Sequence, residues 1–293
     1  MKTGAWSLAI DFGTSNTAAA ETRPAGGIQT LPLAHQSNLM PSAVFVRSTP
    51  VRSLDDLAVG DAALNAAESV PGVFVPAPKR LIGRPSVAVH GSPLPAVLPA
   101  AAVIHAAYRR ALTQHNSIPP ARVVLTHPEA WSPDMIAVLI EGAALAGIDP
   151  ASVVTVSEPR AAVHYYTRTA APAPGAAVAV FDFGGGTVDE AVLRATASGG
   201  FEVVTARGDN SLGGKNFDAL IRRWAETQLA DLNPDLAQYL RGSAPEHIRA
   251  VRALEESARR AKESCPMPRR PQYSSPVGRG AKTCSSPGTN SRS

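Results

Sequence analysis

The chain has 293 residues, 44% hydrophobic and 18% charged, which is enough for one large domain or two ordinary ones with a sizeable core. No apolar run approaches the roughly 20 residues of a bilayer-spanning helix. The N-terminus also lacks a basic region followed by an apolar stretch and a cleavage site, so a cytoplasmic protein without a membrane partner is expected. The net charge of +4 is a poor pointer to nucleic acid. Residues 265–293 hold Arg269, Arg270, Arg279, Lys282 and Arg292 and no acid, which leaves 23 basic against 24 acidic residues in 1–264 and no overall basic face.

In chain order, an apolar strand is expected over residues 6–11 and another apolar segment over 42–46. The proline-rich stretch 85–99 reads as surface loop, and 100–114 has the Ala, Leu and Arg content of a helix. Residues 123–126 read as a buried strand ending at His127-Pro128. A helix follows over 133–146, with Ser132 as N-cap, Pro133 in its first turn and Gly147 at its end. A strand over 153–156 and a helix over 159–166 continue the alternation of an α/β protein. Residues 168–175, rich in Ala and Pro, mark a seam. Strands are then expected over 177–182, 190–195 and 201–206, and helices over 216–229 and 245–264.

At Cys265 the composition breaks. The last 29 residues hold five prolines and six serines, so they are expected to be a disordered, foreign terminus. Cys265 and Cys284 both fall in it and read as incidental. His127 reads as a satisfied loop histidine, Asp209 as a plain strand-end residue, and Trp131, Tyr165 and Tyr166 as core.

One device occurs twice, 171 positions apart. In Ala9-Ile10-Asp11-Phe12-Gly13-Thr14-Ser15-Asn16-Thr17 and in Val180-Phe181-Asp182-Phe183-Gly184-Gly185-Gly186-Thr187-Val188-Asp189, an apolar strand stops at an Asp and turns through glycine and hydroxyl residues. Such turns suit phosphate, because glycines let the backbone approach a bulky anion and the turn's N–H groups converge on its oxygens. An Asp at each strand end can hold Mg²⁺ through water. A single copy is an ordinary turn signal. Two copies, one lobe apart, suggest two lobes gripping one Mg-nucleotide.

These segments, with Pro78-Lys79-Arg80-Leu81-Ile82-Gly83-Arg84, Ser157-Glu158-Pro159-Arg160-Ala161-Ala162 and Gly208-Asp209-Asn210-Ser211-Leu212-Gly213-Gly214-Lys215-Asn216-Phe217-Asp218, give the chain its resemblance to a known family. From about residue 5 to 264 it resembles the nucleotide-binding domain of the Hsp70 chaperone family, within the actin, hexokinase and Hsp70 ATPase superfamily. The resemblance implies an α/β fold of two ribonuclease-H-like lobes around a nucleotide cleft. Lobe I would span 1–167, and an incomplete lobe II 168–264. It implies ATP or ADP with Mg²⁺ as ligands and hydrolysis of MgATP. Asp11 and Asp182 would hold the hydrated Mg²⁺. Lys79 would reach the γ-phosphate, and Glu158 and Asp189 would position or deprotonate the attacking water. Gly13, Thr14, Ser15 and Asn16 would bind phosphate from one side, and Gly184, Gly185, Gly186 and Thr187 from the other. Gly213 and Gly214 would approach the nucleotide, and Lys262 would reach the nucleoside.

Three departures accompany the resemblance. Residues 132–140 contain no basic residue where chaperone Hsp70s relay the nucleotide state through an Arg. Arg259 stands where the family usually has Glu. Beyond Cys265 the second connecting segment, the adenosine loop, the interdomain linker and the peptide-binding domain have no counterpart. Nucleotide is the expected partner of this chain, with co-chaperones and clients belonging to a full-length parent. The competing readings are an inactive truncated remnant, an actin-like filament-associated ATPase, and a sugar or acetate kinase relative.

Overall fold

The computed structural model describes residues 5–265 except 24–25, 36, 48–49, 68–73, 90, 169–170 and 210–211. The tail beyond residue 265, with Cys284 and five of the basic residues, lies outside them, as do Asn210 and Ser211.

The strands of the first half are β1 (Ser7–Phe12), β2 (Asn16–Thr22), β3 (Ile28–Thr30), β4 (Leu39–Pro41), β5 (Val44–Val46) and β6 (Leu57–Val59). The chain continues through α1 (Asp61–Ala67), β7 (Phe74–Val75), β8 (Ser86–Val89), β9 (Ser92–Pro95), α2 (Val97–Gln114), β10 (Arg122–His127), α3 (Pro133–Leu145), β11 (Val153–Ser157) and α4 (Glu158–Tyr166). The remainder comprises β12 (Ala177–Phe183), β13 (Val188–Ala195), β14 (Phe201–Asp209), α5 (Gly214–Leu232), α6 (Pro234–Tyr239) and α7 (Pro245–Ser264).

Two sheets carry the fold. The larger has the order β11-β10-β1-β2-β3, with β4 also paired to β2. In it β1 pairs antiparallel with β2 and parallel with β10, which pairs parallel with β11. The second is an antiparallel meander, β12-β13-β14. Small sheets β6-β5-β7 and β8-β9 complete the described residues.

The period of two in β1 explains its position. Leu8, Ile10 and Phe12 point into the main core, while Ala9 and Asp11 face outward. The same core takes Val123 and Leu125 of β10 and the apolar stripe of α2. A smaller cluster joins Val163 of α4 to Ala191 and Leu193 of β13. Thus α4 begins at the edge of the larger sheet and packs on the second one.

The start of α3 follows its sequence signals: the Ser132 hydroxyl accepts from the Met135 N–H, Pro133 occupies the first turn, and Gly147 beyond its end has φ +89°. Stretch 85–99 corrects the loop expectation. It forms the β8–β9 hairpin and then opens α2, and Pro93 and Pro95 are tolerated because a two-stranded sheet has only edge strands. Tyr165 and Tyr166 correct a second expectation. They are exposed, because α4 turns Pro159 and Val163 inward and the tyrosines lie off that face. Trp131 is partly buried against the main core, His127 is buried at the end of β10, and Asp209 ends β14. Among the described residues no helix is long and apolar enough to cross a membrane.

Candidate functional site

The two repeated segments fold as the hairpins β1–β2 and β12–β13, and their turns meet. In the first, the Gly13 N–H donates to the Asp11 carbonyl at 3.1 Å. A Cβ at Gly13 would lie 2.3 Å from the Asn16 carbonyl oxygen, so the turn excludes any side chain there. In the second, the Gly184 N–H donates to the Thr187 carbonyl at 2.9 Å.

Across the junction, a Cβ on Gly185 would stand 2.3 Å from Ser15 Oγ, and one on Gly186 2.9 Å from both Thr14 and the Arg80 guanidinium. The start of α5 adds a third backbone. The Gly214 N–H donates to the Gly184 carbonyl at 3.0 Å and the Lys215 N–H to the Gly185 carbonyl at 2.8 Å, while a Cβ on Gly213 would meet the Gly186 backbone at 2.6 Å. Glycine is required here for close approach of three chain segments.

The charged groups gather beside this junction. Lys79, in the short 3-10 turn Pro78–Leu81, is 7% exposed, and its ammonium donates to Glu158 Oε1. The Trp131 ring lies 5.8 Å from the same ammonium. Glu158 is the first residue of α4, delivered by the strand β11 that precedes it. Burial pushes its carboxyl above the usual carboxylate range; the Lys79 charge and hydrogen bond oppose this, and Asp11 and Asp189 add to it. Asp189 is raised too, first by burial and last by Asp182, against the Thr187 hydrogen bond and the Lys79 charge.

Asp11 and Asp182 are exposed at the ends of β1 and β12, and Asp11 Oδ1 accepts from Thr126 Oγ1 at 2.6 Å. Asp182 stands opposite Asp189 in the ladder. A cavity of about 10 Å³ is lined by Glu129, Glu158, Asp182, Asp189, Glu190 and Arg207, among others. It has room for about one water.

Thr14 is buried, Ser15 Oγ is buried with no hydrogen-bond partner among the described residues, and Asn16 is exposed at the start of β2. Lys262 of α7 pairs with Asp218 at 2.7 Å and donates to the Gly214 carbonyl at 3.3 Å, which puts it beside the glycine junction. Arg259 instead pairs with Glu256 and Glu263 on its own helix. Among the described residues no group of three or more His, Cys, Asp or Glu is placed to hold a metal.

Sequence reasoning passed over three residues at this site. Arg80 donates to the Gly186 carbonyl and so ties the turn Pro78–Leu81 to the second hairpin. Thr126 fixes Asp11, and Trp131 packs beside Lys79. The only advance signal for Arg80 was its place beside Lys79; the other two depend on tertiary proximity.

Comparisons with known proteins bear on the family of the chain. The Hsp70 protein family model matches residues 119–266. The chain is similar to the HscA chaperone homolog of Azotobacter vinelandii, 32% identical over 260 residues that cover 80% of this chain and 40% of that one. It is 30% identical over 241 residues to chaperone protein HscA of Serratia proteamaculans, covering 75% and 37% of the two chains. It is 33% identical over 253 residues to the HscA homolog of Pseudomonas putida, covering 78% and 38%. The chain spans about two fifths of the length of these curated relatives. With the Hsp70 family model matching half of its length, the chain belongs to the Hsp70 family.

Proposed function

We propose that this chain is the MgATP-binding, ATP-hydrolysing module of an Hsp70-family chaperone, built as two ribonuclease-H-like lobes over 1–167 and 168–264. The observation that carries the reading is the junction itself: two glycine turns from distant parts of the sequence abut, with Lys79, Glu158 and Asp189 beside them.

The donor chemistry fits a magnesium-bound triphosphate. The buried Ser15 hydroxyl lacks a partner among the described residues, and an unpaired buried hydroxyl is costly unless a ligand oxygen meets it. The turns 13–16 and 184–187 supply backbone N–H groups, and Gly213 and Gly214 let α5 close on them. Exposed carboxylates at the ends of β1 and β12, Asp11 and Asp182, suit a hard cation held through water. That cation, when bound, neutralises charge on the phosphates.

The chain's own groups do the rest. Lys79 is held as a fixed cation by Glu158, ready to stabilise charge that develops on the transferred phosphoryl group. Glu158 and Asp189, both with raised proton affinity, are the groups that accept a proton from the attacking water. Lys262, paired with Asp218 beside Gly214, is the residue assigned here to the nucleoside. The relatives named above are chaperones by name, and clients and co-chaperones belong to the reading at the level of the whole protein.

The test is Lys79→Ala in an ATPase assay with parallel nucleotide-binding measurements. Turnover is expected to fall roughly 100-fold, the scale for removing one transition-state charge partner, with binding retained. Unchanged turnover would remove Lys79 from the chemistry, and a parent chain that binds nucleotide without turning it over would remove the ATPase reading.

A further inference from the structure

A second cavity shares no lining residue with the site described above. Its volume is about 400 Å³, and three segments of the first half of the chain enclose it. The loop that leads into the 3-10 turn Leu54–Asp56 supplies Val51, Arg52, Leu54 and Asp55. Helix α2 supplies Leu98 and His105, seven residues apart and so on one face, and α3 supplies its last residue, Leu145.

The apolar wall is firm, because Val51, Leu54 and Leu98 also pack against the main core. The loop backbone is closed on itself. Asp56 Oδ2 accepts from the N–H groups of Arg52 at 2.7 Å and Ser53 at 3.2 Å, and Ser53 Oγ accepts from the Asp55 N–H at 3.2 Å. The side chains of Arg52 and Asp55 take no part in this closure. Among the described residues they form no ion pair with each other or with any other group.

His105 adds an acceptor. Its Nδ1 lies 2.9 Å from the Ala146 carbonyl oxygen. A carbonyl can only accept, so Nδ1 carries the hydrogen and Nε2 of the neutral ring keeps its lone pair. The cavity therefore presents one cation, one anion and one neutral acceptor against an aliphatic wall. Small-molecule sites have this make-up, mostly apolar with a few polar groups, at volumes of roughly 300–1,000 Å³.

We propose that this cavity binds a free apolar α-amino acid in its zwitterionic form. Arg52 takes the carboxylate, Asp55 and His105 Nε2 take the ammonium, and Leu54, Leu98 and Leu145 cover the side chain. The charge pattern selects this class. A simple anion would meet the Asp55 carboxylate, a simple cation would meet Arg52, and a neutral apolar molecule would use neither. Charge-assisted hydrogen bonds to both ends of a zwitterion use both. The site stands apart from the nucleotide reading and is tested without nucleotide.

The experiment is calorimetric titration of the full chain with L-phenylalanine, L-phenylalaninamide, which lacks the carboxylate, and N-acetyl-L-phenylalanine, which lacks the ammonium. L-phenylalanine is expected to bind at least tenfold more tightly than either derivative. Arg52→Ala should weaken L-phenylalanine about tenfold and leave the amide unchanged, since the amide has no carboxylate for Arg52 to hold. Asp55→Asn should likewise weaken L-phenylalanine and spare the N-acetyl derivative. Leu145→Trp, which fills the cavity from the end of α3, should abolish binding of L-phenylalanine. Arg52, Asp55 and Leu145 are all exposed, so these changes leave the core intact, and circular dichroism checks that they do. No heat of binding from L-phenylalanine at 10-millimolar order, equal affinity for the three probes, or full binding by Leu145→Trp would each overturn the proposal.

Discussion

The hairpins β1–β2 and β12–β13 begin from nearly the same residues and end in different surroundings. β1 lies inside the larger sheet, flanked by β2 and β10 and packed under α2, and Phe12 is fully buried. β12 is an edge strand with β13 on one side, and the corresponding Phe183 is 43% exposed, with Phe181 65% exposed beside it. The same short motif therefore dictates the turn but not the burial of the strand that carries it; burial comes from whatever packs on the sheet. This follows from physics that is local for the turn and non-local for the core. The Gly13 and Gly184 turns close through hydrogen bonds within a few residues, whereas Phe12 depends on elements that lie a hundred residues on.

The largest expected effect sharpens this contrast. Phe12→Ala should cost about 3–5 kcal/mol, the range for emptying a buried aromatic site, whereas Phe181→Ala should stay within about 0.5 kcal/mol, as for an exposed position. Urea denaturation of the two variants measures both, and equal losses would break the comparison.

The amount of this that sequence alone revealed varies along the chain in the same way. The strand at residues 7–12, the α3 helix with its Ser132 cap and Gly147 stop, and the three strands of the second sheet were legible because each rests on local periodicity or cap chemistry. The β8–β9 hairpin was not, because its prolines read as loop and only its isolation as a two-stranded sheet makes them acceptable. Tyr165 and Tyr166 were misjudged because composition says nothing about which face of α4 meets the sheet. At the site, Asp11, Lys79, Glu158 and the glycines were legible as motifs. Arg80 on the Gly186 carbonyl and Thr126 on Asp11 arise only when distant segments dock.

A smaller effect separates the hairpins chemically. In the ladder Asp182 faces Asp189, whereas Asp11 faces Ala18. The second hairpin therefore carries a carboxylate that the first lacks. Because burial raises the Asp189 pKa in the folded chain, the folded state holds that proton to higher pH than the unfolded state does. Its stabilising contribution is present below the unfolded value and is lost as pH rises through the folded value. Asp189→Asn should thus gain stability relative to the parent as pH rises from the acid range, measured as the difference in denaturation midpoint. A constant difference across that range would contradict the assignment. In turnover the sign is opposite: activity should rise with pH as Glu158 and Asp189 lose their protons.

The most direct test of the central claim, that both hairpins grip one Mg-nucleotide, is thermal unfolding of the full chain with and without excess MgATP. A ligand at about 100 times its dissociation constant adds roughly 2.7 kcal/mol. The account predicts a clear upward shift in the parent that is lost in Asp11→Ala and, separately, in Asp182→Ala. A cooperative transition that does not move at millimolar MgATP, or a shift that survives either substitution, would contradict it.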